Sequence, residues 1–462
     1  MPRATNPWVS TELLVYFRRD YVDDTLCCRG NTPGKEQVMA IDIFVEDPQQ
    51  AAFERKSIEI FQTPEVQKQL DIARKLFAAD PLAQTPSGRA TLERSVGETV
   101  RAAADWIVNG DPYRPSLVWV QTPPHKWFGV DFPGNRWGID NPDNLYATAA
   151  IDGESRYVIH GKLRRPAPAE CTLTVMGRGG PYPNAFPHSN AYLSLDNVKI
   201  GTDDSFEVTI DSSPVNGRPN HMQSQPQSMA LLLRPSLGDW STETPPLISI
   251  ERVGGPPMRP APSNAELVTK AVEKLREFIP AVLDFNRKAC YRLAANQLTV
   301  PTPTPGGLLT QITSFGHFKV ADDEALVLTI DPIGARYLGF QLCDHWMIGM
   351  EYISATGCIN HAQAARNNDG TYTLVISPSD PGVYNWVDTE HLGSGEMLIR
   401  WQALPHPPKD ENPSIAKSRL VKLAQLGDVL PPGTRMADAQ ARRRQIDQRE
   451  RAFARRIGQL RR

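Results

Sequence analysis

Between positions 344 and 391 the chain gathers Asp344, His345, Trp346, Tyr352, Asn360, His361, Arg366, Asp388 and His391. An imidazole with a carboxylate in reach is what acid–base chemistry near neutral pH requires. His345 or His361 is the expected base, Asp388 the group that orients it, and Tyr352 or Tyr146 the acid. Asp344 and His345 are adjacent and on a strand would face opposite ways, so His345 would look across the sheet to Asp388 or Arg366. The alternative is that each of these groups is a polar partner satisfied locally in loops and strand ends. His345, His361 and His391 with Asp344 or Asp388 would also supply enough nitrogen and oxygen ligands for a metal. Their separations of 16 and 30 residues, however, lack the short-spaced ligand pair of many metal sites.

A second cluster lies earlier, in a Gly/Pro-rich stretch holding His125, Lys126, Trp127, Asp131, Arg136, Trp137, Asp140, Asn141, Asp143, Asn144 and Tyr146. Loops of this kind carry function when a rigid scaffold holds them. Trp127 and Trp137 would line an apolar pocket. Arg136 or Arg366 would hold a carbonyl or carboxylate, with Asn144 and Trp386 completing the substrate contacts. Against this stands an Asx/Pro turn whose Asn and Asp side chains cap backbone N–H groups and whose Trp residues are core.

These residues need a scaffold. Residues 49–109 read as helical, with Leu92, Val96, Val100, Ala103, Trp106 and Ile107 at a spacing of three to four before Gly110. From about 117 the period shifts toward two, as in SRYVIHGKL and SFEVTID, with Asn, Asp, Gly and Pro between the runs. A helix capped by Ser263 or Asn264 and kinked or split at Pro280 leads through PTPTPGG to a second strand-rich stretch. No repeat of 20–50 residues is evident. The expected fold is mainly β, α+β overall, with two β-sandwich or jelly-roll-like units. The expected division is a helical segment at 1–112, a first β unit at 113–260, a connecting helix at 261–300, a second β unit at 301–408 and a basic helical tail at 409–462.

The 462 residues carry a formal net charge of −2, so no overall field draws the chain to nucleic acid. The tail is the exception: residues 435–462 carry +7. Ile446, Phe453, Ile457 and Leu460 share a helical face there, which would dock on its own domain or on a second subunit; the partner expectation is a homo-oligomer formed through this helix. No apolar run approaches the roughly 18–20 residues of a membrane span, and the six cysteines are scattered, so a cytoplasmic protein is expected. GxGxxG after a strand, GxxxxGK[ST], HExxH, GxSxG and EF-hand loops are all missing, and no cofactor is expected.

Two stretches together suggest a family. One is FPGNRWGIDNPDNLYATAAIDGESRYVIHGKL. The other is NNDGTYTLVISPSDPG, followed by Tyr384-Asn385-Trp386 and GEMLIRWQALP. The second run, over about 310–405, resembles the bacterial domain of unknown function 1214 family, which often accompanies the related domain of unknown function 1254. The resemblance implies sandwich, jelly-roll-like domains with an inserted helical segment and no settled activity. The expected function is a cofactor-independent acid–base enzyme (lyase, hydrolase or isomerase) acting on an apolar oxygenated small molecule. The alternatives are a non-catalytic protein that binds a hydrophobic ligand, or a metal-dependent enzyme.

Overall fold

The computed structural model describes residues 48–127, 129–303, 310–406 and 416–457. Three helices come first: α1 (Pro48–Phe61), α2 (Pro64–Ala78) and α3 (Pro86–Val108). Each opens on a proline, whose missing N–H is one the first helical turn leaves unbonded anyway. Thr85 caps α3 by accepting from the Gly88 N–H.

A first sandwich follows. Its strands are β1 (Val118–Val120), β2 (His125–Trp127), β3 (Val130–Phe132), β4 (Tyr146–Ala150), β5 (Arg156–Lys162), β6 (Glu170–Gly177), β7 (His188–Ser194), β8 (Ser205–Asp211), β9 (His221–Gln223), β10 (Ser228–Ser236) and β11 (Leu247–Gly254). One sheet runs β1-β4-β10-β6-β7 and the other β11-β5-β8-β9, with β2 and β3 forming a separate hairpin. Tyr157, Ile159, Leu173, Val175, Leu231 and Leu233 fill the space between the two sheets. The period-two pattern of the sequence put these residues on one face of their strands.

Helix α4 (Asn264–Cys290) carries a capping box between Ser263 and Glu266. It runs through Pro280 as one element, where the sequence suggested a kink or split. Pro280 lies on the exposed side, where water can take the freed carbonyl, while Phe278, Ile279 and Val282 anchor the buried side. Helices α2, α3 and α4 share one core with Trp346 and Met347 of the second sandwich.

The second sandwich contains β12 (Gln297–Leu298), β13 (Thr302–Pro303), β14 (Ile312–Lys319), β15 (Glu324–Ile330), β16 (Tyr337–Cys343), β17 (Cys358–Asn360), β18 (Tyr372–Ser377), β19 (Trp386–Asp388), β20 (Ser394–Gln402) and β21 (Ala416–Lys422). Its sheets run β12-β14-β20-β16-β17, with β13 also on β14, and β19-β18-β15-β21. Strand β21 lies beyond position 408, so the second β unit extends further than the sequence division allowed. Strand β21 pairs with β15 along its whole length.

The two sandwiches repeat one strand order. β4 to β11 of the first correspond one by one to β14 to β21 of the second, down to the parallel pairs β8–β9 and β18–β19 among otherwise antiparallel neighbours. β10 and β20 are both nine residues long, and each has arginine at its seventh position, Arg234 and Arg400. The sequence showed no repeat because the duplicated unit is much longer than 20–50 residues and its side chains have diverged.

The basic tail forms α5 (Ala439–Ile457). Phe453, expected to dock on its own domain or on a second subunit, packs against Trp240 and Tyr352 of its own chain. Arg449 donates to the Tyr352 carbonyl at 2.8 Å and Arg456 to the Pro142 carbonyl at 2.6 Å. The helix thus uses its buried arginines and its aromatic ring as intramolecular ties. Among the described residues no helix is long and apolar enough to cross a membrane. The four described cysteines are free and buried.

Candidate functional site

The facing surfaces of the two sandwiches are the sheet faces turned away from their own cores. On β10, Leu231 and Leu233 point into the first core, so Ala230, Leu232 and Arg234 point out of it. On β20, Ile399 and Trp401 point into the second core, and Leu398 and Arg400 point out. Between the two faces lies a cavity of about 260 Å³. Equivalent positions of the two halves line it in pairs: Leu232 with Leu398 and Arg234 with Arg400 on the central strands, Tyr146 with Thr313 on β4 and β14. This is the geometry of an isologous interface, here built within one chain.

Arg400 is tied. It is 7% exposed, and its two terminal nitrogens donate to the Gln341 side-chain oxygen and the Ile139 carbonyl. Arg234 is not. Among the described residues its Nε is buried without a partner, and its guanidinium lies 5.6 Å from the centre of the Tyr146 ring. Burial lowers its pKa from the ordinary arginine value; Tyr146 and Glu170 oppose this in part, and Arg400 pushes it further down. Register explains the contrast. Gln341 stands on β16 opposite Leu398, and its counterpart on β6, opposite Leu232, is Thr174. A threonine hydroxyl at that position leaves the guanidinium unbonded; the Thr174 oxygen itself is buried and unpartnered.

Thr172, directly opposite Arg234, and Ser236 also keep buried hydroxyls without partners among the described residues. Glu170 lies one row further along β6, where Tyr192 and Thr310 donate to one carboxylate oxygen, and burial raises its pKa. The cavity lining itself includes no Asp or Glu among the described residues. The Tyr146 hydroxyl oxygen accepts from the Asn141 N–H at 3.2 Å and the Asn144 amide at 3.1 Å, so its own proton is left for another acceptor. The apolar wall is aromatic: Trp137 stacks on Phe186 with centroids 5.5 Å apart, and Phe285 and Phe315 extend it.

Of the residues expected from sequence, Tyr146, Trp137 and Asn144 meet at this cavity; the others lie apart. Arg136 is buried in a fork with Glu98, at 2.7 and 2.8 Å, and its Nη1 donates to the Gly349 carbonyl at 3.1 Å. It has no charge to spare for a substrate. Tyr352 is buried beside it and Phe453, and burial holds its phenol far above the usual range. The Trp127 side chain lies outside the described residues.

His345 does not meet Asp388. Its Nδ1 lies 2.6 Å from the Tyr291 hydroxyl and its Nε2 2.8 Å from Ser394 Oγ, while Tyr291 donates to Glu396 at 3.2 Å. Burial lowers the imidazole to about 4. Asp344 instead accepts from Ser95 at 2.6 Å and from Arg94 at 3.1 Å. Asp388 caps the Glu390 N–H at 2.9 Å, and burial raises its pKa. His361 accepts from the Leu338 N–H at 3.4 Å and lies edge-on to the Tyr337 ring. Arg366 donates to the Gly370 carbonyl and Trp386 to the Ser377 carbonyl. These are structural ties, within the second sandwich for Asp388, His361, Arg366 and Trp386 and to helix α3 and the end of helix α4 for Asp344 and His345. Among the described residues no three His, Cys, Asp or Glu side chains are placed to hold a metal.

The Asn-Pro-Asp-Asn turn pins the two halves together beside the cavity. Asp143 accepts from Tyr337 at 2.6 Å, Trp240 at 2.7 Å and Asn360 at 2.8 Å. Its role is structural, with Asn144 reaching the cavity from the same turn. Arg234 and Arg400 were missed in the sequence. The signal was there, in the matching nine-residue runs SMALLLRPS and SGEMLIRWQ.

Fold and site together define an α+β protein of two like sandwiches packed face to face, with an amphipathic cavity at the junction. No family model matches the sequence, and no curated protein matches it. Among solved structures it is similar to an uncharacterized protein from Burkholderia cenocepacia, at 25% identity and a TM-score of 0.66 over 81% of this chain and 99% of that one. A protein from Vibrio parahaemolyticus aligns over 81% of this chain and all of its own, at 10% identity and a TM-score of 0.39, too low to carry an argument.

Proposed function

We propose that the cavity between the sandwiches binds a small, largely apolar molecule that carries an oxygen function. The observation that supports this best is the cavity itself: an aromatic-walled space of about 260 Å³ into which a few polar groups converge. Acid–base turnover without a cofactor is the second reading, favoured by the Tyr146 proton left free by two donors to its oxygen. In that reading Tyr146 delivers a proton to the ligand's oxygen, and Arg234 offsets the charge. The likeness to the domain of unknown function 1214 family belongs to this proposal too; it rests on the D-G, N-W and R-W residues of positions 369–401.

Native mass spectrometry of the protein purified without added ligand, followed by calorimetric titration of aromatic alcohols and acids, tests the reading. One organic molecule per chain, or saturable 1:1 binding abolished by the cavity-filling Ala230→Trp, is expected. Binding that Ala230→Trp leaves unchanged would place the ligand elsewhere and refute the reading.

A further inference from the structure

We infer that the ligand of this cavity is a ring-bearing monocarboxylate whose carboxylate is held by Arg234. This rests on the cavity being the ligand site and goes further by naming what the site selects.

The argument is one of charge and of unmet hydrogen bonds. Two guanidinium groups line one cavity, and no carboxylate among the described residues lines it with them. Arg400 spends its terminal nitrogens on Gln341 and Ile139, so one guanidinium edge remains, that of Arg234. Arg234 is partly buried with its Nε unpartnered, and a guanidinium withdrawn from water is costly to a fold unless something completes it. The Glu170 carboxylate, one row away on β6, has one oxygen engaged by Tyr192 and Thr310 and the other unpartnered; its charge favours the Arg234 cation from that distance without a direct ion pair. A carboxylate matches the edge of one guanidinium with two parallel bonds. Thr172 and Thr174, opposite Arg234 and Leu232 on the adjoining strand, keep unpartnered hydroxyls behind the cavity wall and do not compensate the guanidinium. A phosphate would need more donors than one guanidinium edge offers. The opposite wall, with Trp137 stacked on Phe186, suits a flat ring.

The experiment is calorimetric titration of the full chain at pH 8 and low salt with three matched probes: 2-naphthoate, 2-naphthalenemethanol and 2-naphthylphosphonate. The acid should bind 1:1 and at least ten times more tightly than the alcohol. Arg234→Met should reduce that preference below twofold while leaving the alcohol affinity in place. Arg234→Gln, which keeps polarity without charge, serves as the second variant and should lose the preference in the same way. Equal binding of acid and alcohol, both abolished by Ala230→Trp, would overturn the anion inference and leave the cavity reading standing. Tighter binding of the phosphonate than of the acid would overturn the carboxylate assignment. Failure of all three probes to bind would overturn the cavity reading together with the inference.

Discussion

The two sandwiches share a strand order and an arginine at the seventh position of their central strand, yet the two arginines have different fates. In the second sandwich Gln341 meets Arg400 and closes its hydrogen bonds inside the chain. In the first, Thr174 stands where Gln341 would, and Arg234 stays open to the cavity. One half ties the position into the scaffold; in the other, on the reading proposed above, it is left for a ligand. A buried charge that satisfies itself supports the fold; one that does not marks where something else is to bind.

The largest expected effect belongs to the most completely tied arginine. Arg136→Met strands the buried Glu98 carboxylate and should cost about 3–5 kcal/mol, read as a fall in the urea midpoint. Next comes acid sensitivity, which the second half carries through His345. Burial lowers its pKa in the folded chain to about 4, from the ordinary histidine value of 6.5. The unfolded chain therefore takes up the proton first, and stability present above pH 6.5 is lost as pH falls toward 4. The total is on the order of 3 kcal/mol. His345→Gln should flatten the stability profile between those limits, and an unchanged acid limb would refute the assignment. Arg400→Met removes donors from Gln341 and Ile139 and should cost about 2 kcal/mol by the same measurement. The smallest effect on stability comes from making the halves alike. Thr174→Gln gives Arg234 the partner that Arg400 has; it should raise stability by roughly 0–1 kcal/mol and weaken 2-naphthoate binding about tenfold. Unchanged naphthoate affinity in a folded Thr174→Gln variant would remove the register explanation.

Much of this architecture was legible in the sequence. The change from a spacing of three or four to a spacing of two located the helices and the two strand-rich units, because one-sided burial imposes those periods. The loop at 136–146 was recognised as a likely carrier of function, and Trp137, Asn144 and Tyr146 do reach the cavity. The partners of His345 and Asp388, expected to be each other, were not recoverable. Both residues satisfy themselves with neighbours brought by folding, Tyr291 and Ser394 for the one and a backbone N–H for the other. Arg136 looked available for a substrate because its partner Glu98 lies 38 positions away on a helix. Arg234 was overlooked for the converse reason: in an apolar strand it reads as an edge residue, and only the face-to-face packing of the two halves encloses it.

The most direct test of the account compares the unfolding midpoints of Arg234→Met and Arg400→Met with that of the parent chain. An arginine kept for a ligand should be dispensable to the unliganded fold, so Arg234→Met should match or exceed the parent midpoint while Arg400→Met falls well below it. Equal losses in the two variants would mean that Arg234 is scaffold like its counterpart, and would contradict the account.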